Sequence, residues 1–330
     1  MTDSPVFVFF NEYPVFPVII LTSDLLSFLP IIILIYISQV APLHGNCRFI
    51  LCTWAIGLGA VIAADLAMAM VDLENDTGFM AMSMFHPLLI ALNSSYVKST
   101  AMRVKLYKFD VTCATFSSSF EIVLSIERII SVIRPRQYHY SKTAWKTMIA
   151  LAIALMACGY LIDEALHSED EYLTLFANVA LGIIELSVLV VGAIASSVCG
   201  IRYRSLYGIS SLTERYQAKE AYEMSKAMIP DYVISFIIKG TTVTAIFLYV
   251  TFIKDGYLTG FVQMYIVMTH AFYIIFSTTN LLVIHPLLRK HTHRKLESLM
   301  NLKVKQEAKR ESLKSDTETY FSMLSVSWNK

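Results

Sequence analysis

Seven stretches of the chain are long and apolar enough to cross a bilayer as helices: Val18–Val40, Arg48–Val71, Phe109–Ile133, Lys146–Leu166, Tyr172–Cys199, Tyr232–Phe252 and Gly260–Ile284. In hydrocarbon each backbone N–H and C=O must find its partner within the segment, and about 20 residues of helix do so while spanning the core. This constrains the chain to an all-α, seven-transmembrane bundle. The composition agrees: 55% of the 330 residues are hydrophobic, 16% are charged and the mean hydropathy is +0.55, well beyond what a soluble domain carries. A formal net charge of +1 gives no overall basic surface for nucleic acid, so electrostatics must be read from where charges lie.

The sequence predicts an extracellular N-terminus over residues 1–17, the bundle over 18–284 and a cytoplasmic tail over 285–330. The first residues hold Asp3 and Glu12 but no Lys or Arg, so no cleaved signal peptide is expected and the first span serves as the insertion signal. Between the second and third spans, Phe79–Leu92 is apolar but short and interrupted by His86-Pro87. It reads as an interfacial or folded-back piece, and an eighth membrane segment across 79–97 is the rival reading. Orientation follows from Lys and Arg in short loops. With the N-terminus outside, the inner side collects Arg48, Arg134, Arg136, Lys142, Lys146, Arg202, Arg204, Arg215, Lys219, Lys226, Arg289, Lys290, Arg294 and Lys295, while the outer side receives fewer, Lys98, Arg103, Lys105, Lys108 and Lys254, alongside Asp72, Glu74, Asp76 and the acidic run from Asp163 to Glu171. Two N-x-[ST] sequons, at Asn75 and Asn93, land in one predicted outer loop and are glycosylation candidates. All five cysteines lie in or beside apolar segments, which favours buried free thiols over a disulfide scaffold.

Ionisable groups within a span cost about 2.5–3.5 kcal/mol each on insertion and therefore face the bundle interior. Asp24, Asp65, Glu121, Glu185, Lys239 and His270 are such groups. Lys239 is the sole base deep in a span, and Glu121 and Glu185 lie at comparable depth. Pairing of Lys239 with one or both is expected, either as a structural clamp or as the floor of a ligand pocket. Glu121, Glu185, Lys239 and His270 are accordingly the pocket candidates. The outer halves of four spans (Thr112–Phe120, Phe176–Ile183, Thr244–Tyr249, Gln263–Tyr273) mix aromatic, small and polar residues, as a small-molecule pocket does.

At the inner end of the third span stands Glu127-Arg128-Ile129-Ile130-Ser131-Val132-Ile133-Arg134-Pro135-Arg136-Gln137-Tyr138. By residue type alone a charged pair at a span boundary is an interfacial marker. The longer string resembles, without gaps, the Asp/Glu-Arg-Tyr…Pro…Tyr end of the third helix in rhodopsin-like G protein-coupled receptors, with Glu127, Arg128, Pro135 and Tyr138 at the family positions. The resemblance implies a switch in which the arginine, held by acidic neighbours at rest, is released to a G protein when the sixth helix swings out. Ile129 stands where the family has an aromatic residue. More weakly, Asp65 in "AADLAMAM" resembles the second-helix aspartate that binds a sodium ion in that family. Asn280 resembles the asparagine of its seventh-helix Asn-Pro-x-x-Tyr motif, with Leu281 and Ile284 replacing the Pro and Tyr. No lysine lies in the seventh span to hold retinal, so an opsin is excluded, and no cofactor is expected.

The third inner segment reads "SLTERYQAKEAYEMSKAMIP". Ser211 with Glu214 three residues on makes a capping box, so a helix is predicted to start here and feed the sixth span. Leu212, Thr213, Arg215, Tyr216, Gln217 and Glu220 are similar to the loop motif of the nematode serpentine chemoreceptors of the Sra-like superfamily, with Ala221 replacing an Asn. His44 and Asn46 resemble that superfamily's His-x-Asn, and Glu127-Arg128 its Glu-Arg. The epsilon class is favoured; the alpha and beta classes stay open, because the Asp-Tyr-Glu that usually follows the epsilon Glu-Arg is absent. The resemblance implies a chemosensory receptor of the plasma membrane, at the cilium of a sensory neuron, which takes a small-molecule ligand, sits in membrane lipid and signals through a heterotrimeric G protein. Glu127, Arg128, Pro135, Tyr138, Arg215, Tyr216, Gln217, Glu220 and Asn280 would serve the switch and the coupling.

Two other classes were weighed. A seven-span metal-dependent lipid hydrolase needs clustered ligands, whereas His86, His167 and His270 are scattered singly and no metal site is predicted. A transporter would show internal halves and broken helices, and an odorant-type channel would reverse the Lys/Arg bias. Beyond Ile284, Leu287 and Leu288 with Arg289, Lys290, Arg294 and Lys295 predict a short amphipathic helix on the inner leaflet. His291 and His293 lack further metal partners, and Ser312, Ser315, Thr317 and Thr319 lie in a polar tail open to phosphorylation.

Overall fold

A computed structural model describes residues 15–75, 96–140, 145–166, 168, 170–206, 212–248, 256–295 and 297–298. Among the described residues all regular structure is helical: α1 Val15–Val40, α2 Gly45–Asn75, α3 Tyr96–Ile133, α4 Pro135–Tyr140, α5 Trp145–Leu166, α6 Glu171–Ser205, α7 Leu212–Leu248 and α8 Gly256–Ile284, then a short helix α9, Pro286–Lys295. The seven predicted spans fall within or largely overlap α1, α2, α3, α5, α6, α7 and α8. Phe79–Leu92, Asn93, Ser211 and the tail beyond 298 lie outside the described residues, as does the side chain of Asn75.

The helices run past the predicted span limits wherever the sequence supplies a terminus. Asp170 caps α6, its Oδ1 accepting from the Tyr172 backbone N–H at 2.9 Å, and Arg202 and Arg204 sit in the last turn, where cations complement the helix dipole. α7 starts at Leu212 with Glu214 in its first turn and runs through Pro230 as one continuous helix. Its Lys219 Nζ reaches Glu223 Oε1 at 3.7 Å one turn on.

α1, α2, α5, α6, α7 and α8 form a ring closed by packing of α8 on α1, and α3 runs inside it against α2, α5, α6 and α7. That placement explains the sequence of α3. Asp110, Ser117, Glu121, Ser125 and Arg128 recur at helical spacing and are all buried. The outer helices are inverted in character. On α6, Leu173, Phe176, Val179, Ile183, Leu186, Val190 and Ile194 form an exposed apolar stripe, as a lipid-facing surface requires.

Among the described residues four helices are by themselves long and apolar enough to cross a membrane, covering Leu21–Val40, Gly45–Met68, Lys146–Leu166 and Tyr172–Ser205. A fifth qualifies if Met268–Ile284 is joined to Pro286–Lys295, which turns away from it by 93°. α3 and α7 do not qualify on apolarity alone. Their polar residues face other helices rather than lipid, and Lys239 and Glu121 are held by side chains of neighbouring helices. α9 buries Leu288 and exposes Arg289, Lys290, Arg294 and Lys295, so the predicted amphipathic helix forms.

Close helix contacts rest on small residues. A Cβ on Gly192 of α6 would stand 2.2 Å from the Tyr232 ring of α7, and one on Gly57 of α2 would stand 2.6 Å from Ser117 Oγ of α3. Cys47, Cys113 and Cys199 are buried and all five thiols are free.

Candidate functional site: three polar layers along α3

The first layer closes one end of α3. Arg128 is 1% exposed, and its guanidinium grips Glu127 through Nε–Oε2 at 2.5 Å and Nη2–Oε1 at 2.6 Å. Nη2 also donates to Tyr138 Oη on α4 at 3.3 Å, and Nη1 lies 3.6 Å from Glu220 Oε1 on α7. Glu220 in turn accepts from the His44 backbone N–H at 3.3 Å, while the His44 and Tyr138 rings pack with centroids 4.0 Å apart. Tyr216 donates its hydroxyl to Pro42 O at 3.4 Å. Three short motifs far apart in sequence, around His44, Arg128 and Tyr216–Glu220, thus meet at one point. One guanidinium faces two carboxylates, the arrangement a buried cation needs. Burial pushes the Glu220 carboxyl above its usual range, with Arg128 and the His44 N–H pulling the other way.

Pro135 is buried at the start of α4, where its fixed φ and missing N–H suit the first helical turn. That turn brings Tyr138 back onto Arg128. Gln217 is buried beside this layer with Nε2 unpaired, and Arg215 is partly exposed. Asn280 does not touch Arg128. Its Nδ2 donates to Asp231 Oδ1 at 2.7 Å and to Ala227 O at 3.3 Å, tying α8 to α7. His285, at the corner between α8 and α9, is fully buried. Burial and the nearby Arg128 lower its pKa from 6.5 to about 4.

The second layer lies about 10 Å further along α3, two turns from Arg128. Lys239 Nζ of α7 is 3.1 Å from Glu185 Oε1 of α6 and donates to Ser118 Oγ of α3. Ser118 and Ser235 both donate to Glu185, at 2.6 and 3.3 Å. Glu121 takes different partners, accepting from Trp54 Nε1 of α2 at 3.1 Å and from the Tyr273 hydroxyl of α8. The Lys239 ammonium also sits 5.0 Å from the Tyr273 ring centroid, so Tyr273 touches both Glu121 and the cation that pairs with Glu185.

The third layer is near the opposite end of α3. His270 Nδ1 is 3.3 Å from Asp65 Oδ2 and 3.9 Å from Asp110 Oδ2. Asp65 therefore lies two turns beyond Gly57, the α2 residue that faces Ser117.

Sequence reasoning missed Trp54, Tyr273, Ser118, Ser235, Asp110 and Asp231. Asp110 carried a readable signal, since it lies 11 and 18 residues before Glu121 and Arg128, three and five helical turns on one face. The aromatic partners carried none, because in a membrane segment Trp and Tyr read as apolar filling.

Fold and site together define a polytopic helical membrane protein with a buried arginine–carboxylate cluster at one end of its central helix. Residues 175–329, just under half of the chain, match the family model of the Sre G protein-coupled chemoreceptors. Sre is the epsilon class of the Sra superfamily, a family of receptors and not of enzymes. The matched region contains most of α6 and all of α7 to α9, with Glu185, Tyr216, Glu220, Lys239 and Asn280, and ends beyond them; Glu127-Arg128 precedes it. No curated protein matches the chain.

Proposed function

We propose that the whole chain is a chemosensory G protein-coupled receptor of the Sre type, with seven spans, its N-terminus outside and its C-terminus in the cytoplasm. A small-molecule cue binds within the bundle, and a heterotrimeric G protein is activated from the Arg128 end. The plasma membrane of a sensory cilium is the expected location.

One observation carries this reading. Arg128 is buried by two carboxylates on separate helices, Glu127 of α3 and Glu220 of α7, so outward movement of α7 strips away one anion and leaves the guanidinium free for a partner. Tyr216, Gln217 and Arg215 lie on the first turns of the same helix, and would meet that partner as α7 moves. Asn280 couples α8 to the motion through Asp231. Pro135 and Tyr138 hold the intervening loop. In the second layer Lys239, Glu185 and Glu121 form the polar floor under a mostly apolar pocket, with His270 of the third layer nearer its mouth.

The test is a reporter assay in cells expressing the full chain with a promiscuous G protein. Arg128→Ala should abolish signalling while surface expression persists. Accessibility tags at both ends and in the 205–227 segment fix the orientation; an external C-terminus ends this reading.

A further inference from the structure

The third layer contains more acid than its protein partners can neutralise. Asp24, Asp65 and Asp110 are 0%, 1% and 2% exposed, on α1, α2 and α3. Among the described residues no Lys or Arg pairs with any of them, and His270 of α8 is the one base within reach. Asp65 Oδ1 and Asp110 Oδ1 have no hydrogen-bond partner. Neither oxygen of Asp24 has one, although that side chain interacts electrostatically with both Asp65 and His270. A buried carboxylate is normally hydrogen-bonded or paired, so these orphaned oxygens point to a missing cation.

We infer that Asp65, Asp110 and His270 form a binding site for a single divalent metal ion of the zinc class, with Asp24 as the anion behind it. The donor atoms of the three residues all lie within 4.8 Å of one another, close enough to converge on one ion. Tetrahedral zinc with bonds of about 2.1 Å holds its ligand atoms roughly 3.4 Å apart. The Asp65–His270 distance of 3.3 Å meets that spacing, and the 3.9 Å from His270 to Asp110 needs a shift of about half an ångström. Imidazole with carboxylate is a donor set that zinc accepts, and three protein ligands leave a fourth position open. His270 keeps 17% of its side chain exposed, which gives the ion a way in. Because its ligands come from α2, α3 and α8, the ion would clasp three helices at the end opposite Arg128, with α1 behind them. Sequence spacing could not reveal it, since every ligand is on a different helix.

The test uses the full-length receptor in detergent or nanodiscs, stripped with chelator and returned to Zn2+ or Co2+. Wild type should take up one zinc per chain, give the visible absorption of four-coordinate cobalt, and unfold several degrees higher with zinc than without. Cys158→Ser, which removes the one exposed thiol, should behave the same. Asp65→Asn and His270→Gln should weaken uptake at least tenfold and lose the thermal shift. The wild-type shift stands as a readout even if a variant fails to fold. Absence of stoichiometric metal in wild type, a shift that survives His270→Gln, or stabilisation by sodium alone would overturn the site.

Discussion

Arg128 and Glu220 are 92 positions apart in sequence, on α3 and α7, yet Nη1 and Oε1 lie 3.6 Å apart with both side chains almost wholly buried. Glu127, the neighbour in sequence, travels with Arg128 whatever its helix does. Among the described residues Glu220 is the carboxylate that ties the guanidinium to a second membrane helix, so this contact is where restraint can be lost.

Glu220→Gln should raise signalling in the absence of ligand. Removing one member of a buried pair costs several kcal/mol in rigid cases, and about 1.4 kcal/mol lost from the resting state alone shifts the resting equilibrium tenfold. Basal reporter activity of Glu220→Gln against wild type, normalised to surface expression, checks this. Equal basal activity would place the restraint elsewhere.

His285 makes stability depend on pH. Its folded-state pKa of about 4 lies below the ordinary 6.5, so the unfolded chain takes up a proton first as pH falls. The protein therefore loses stability between about pH 6.5 and pH 4, by about 3 kcal/mol across the whole window for a shift of this size. The raised pKa of Glu220 acts in the other direction, with stability falling as pH rises through its shifted range. His285→Asn, whose amide oxygen can accept from Leu288 N–H as Nδ1 does at 3.4 Å, should show a smaller fall in melting temperature from pH 7 to pH 5.

Lys239→Met should lose ligand response and also folded yield, because Glu185 would be left among Ser118 and Ser235 without a cation. Both side chains are 16% and 12% exposed, which puts the loss near the low end of the 3–5 kcal/mol typical of a broken buried pair, about 3 kcal/mol. Adding Glu185→Gln should restore yield. A restored response in the double variant would reduce the pair to a clamp, whereas yield without response supports a role in the pocket.

Gly192→Val should collapse expression, since its side chain must enter the space of the Tyr232 ring, itself fixed by a 2.8 Å hydrogen bond to Ser125. Gly182→Ala is the matched control on the same helix. Nothing lies within 4 Å of its added methyl, and loss of backbone freedom should stabilise the helix by about 0.5–1 kcal/mol. Melting temperatures of the two purified variants separate packing from helix propensity.

The helices were legible because length and apolarity are local properties. Val18–Val40 and Lys146–Leu166 appear as α1 and α5 almost residue for residue. The Arg128 layer was legible in part, because Glu127 is adjacent in sequence and the motif around Glu220 resembles a known loop. The partners of Glu121 were not. Trp54 and Tyr273 lie 67 and 152 residues from it, and nothing in a single sequence encodes which two apolar rings will turn a polar atom toward a carboxylate. Asp110 was passed over because it stands next to the assumed edge of its span, although its spacing from Arg128 repeated the helical period.

That spacing has a mechanical meaning. Eighteen residues complete five whole turns, so the carboxyl at 110 and the guanidinium at 128 point in one compass direction from a single rod, roughly 27 Å apart. A twist of that rod about its long axis would swing both groups through the same angle at once. Whatever grips the first would resist the second like a key held at both ends.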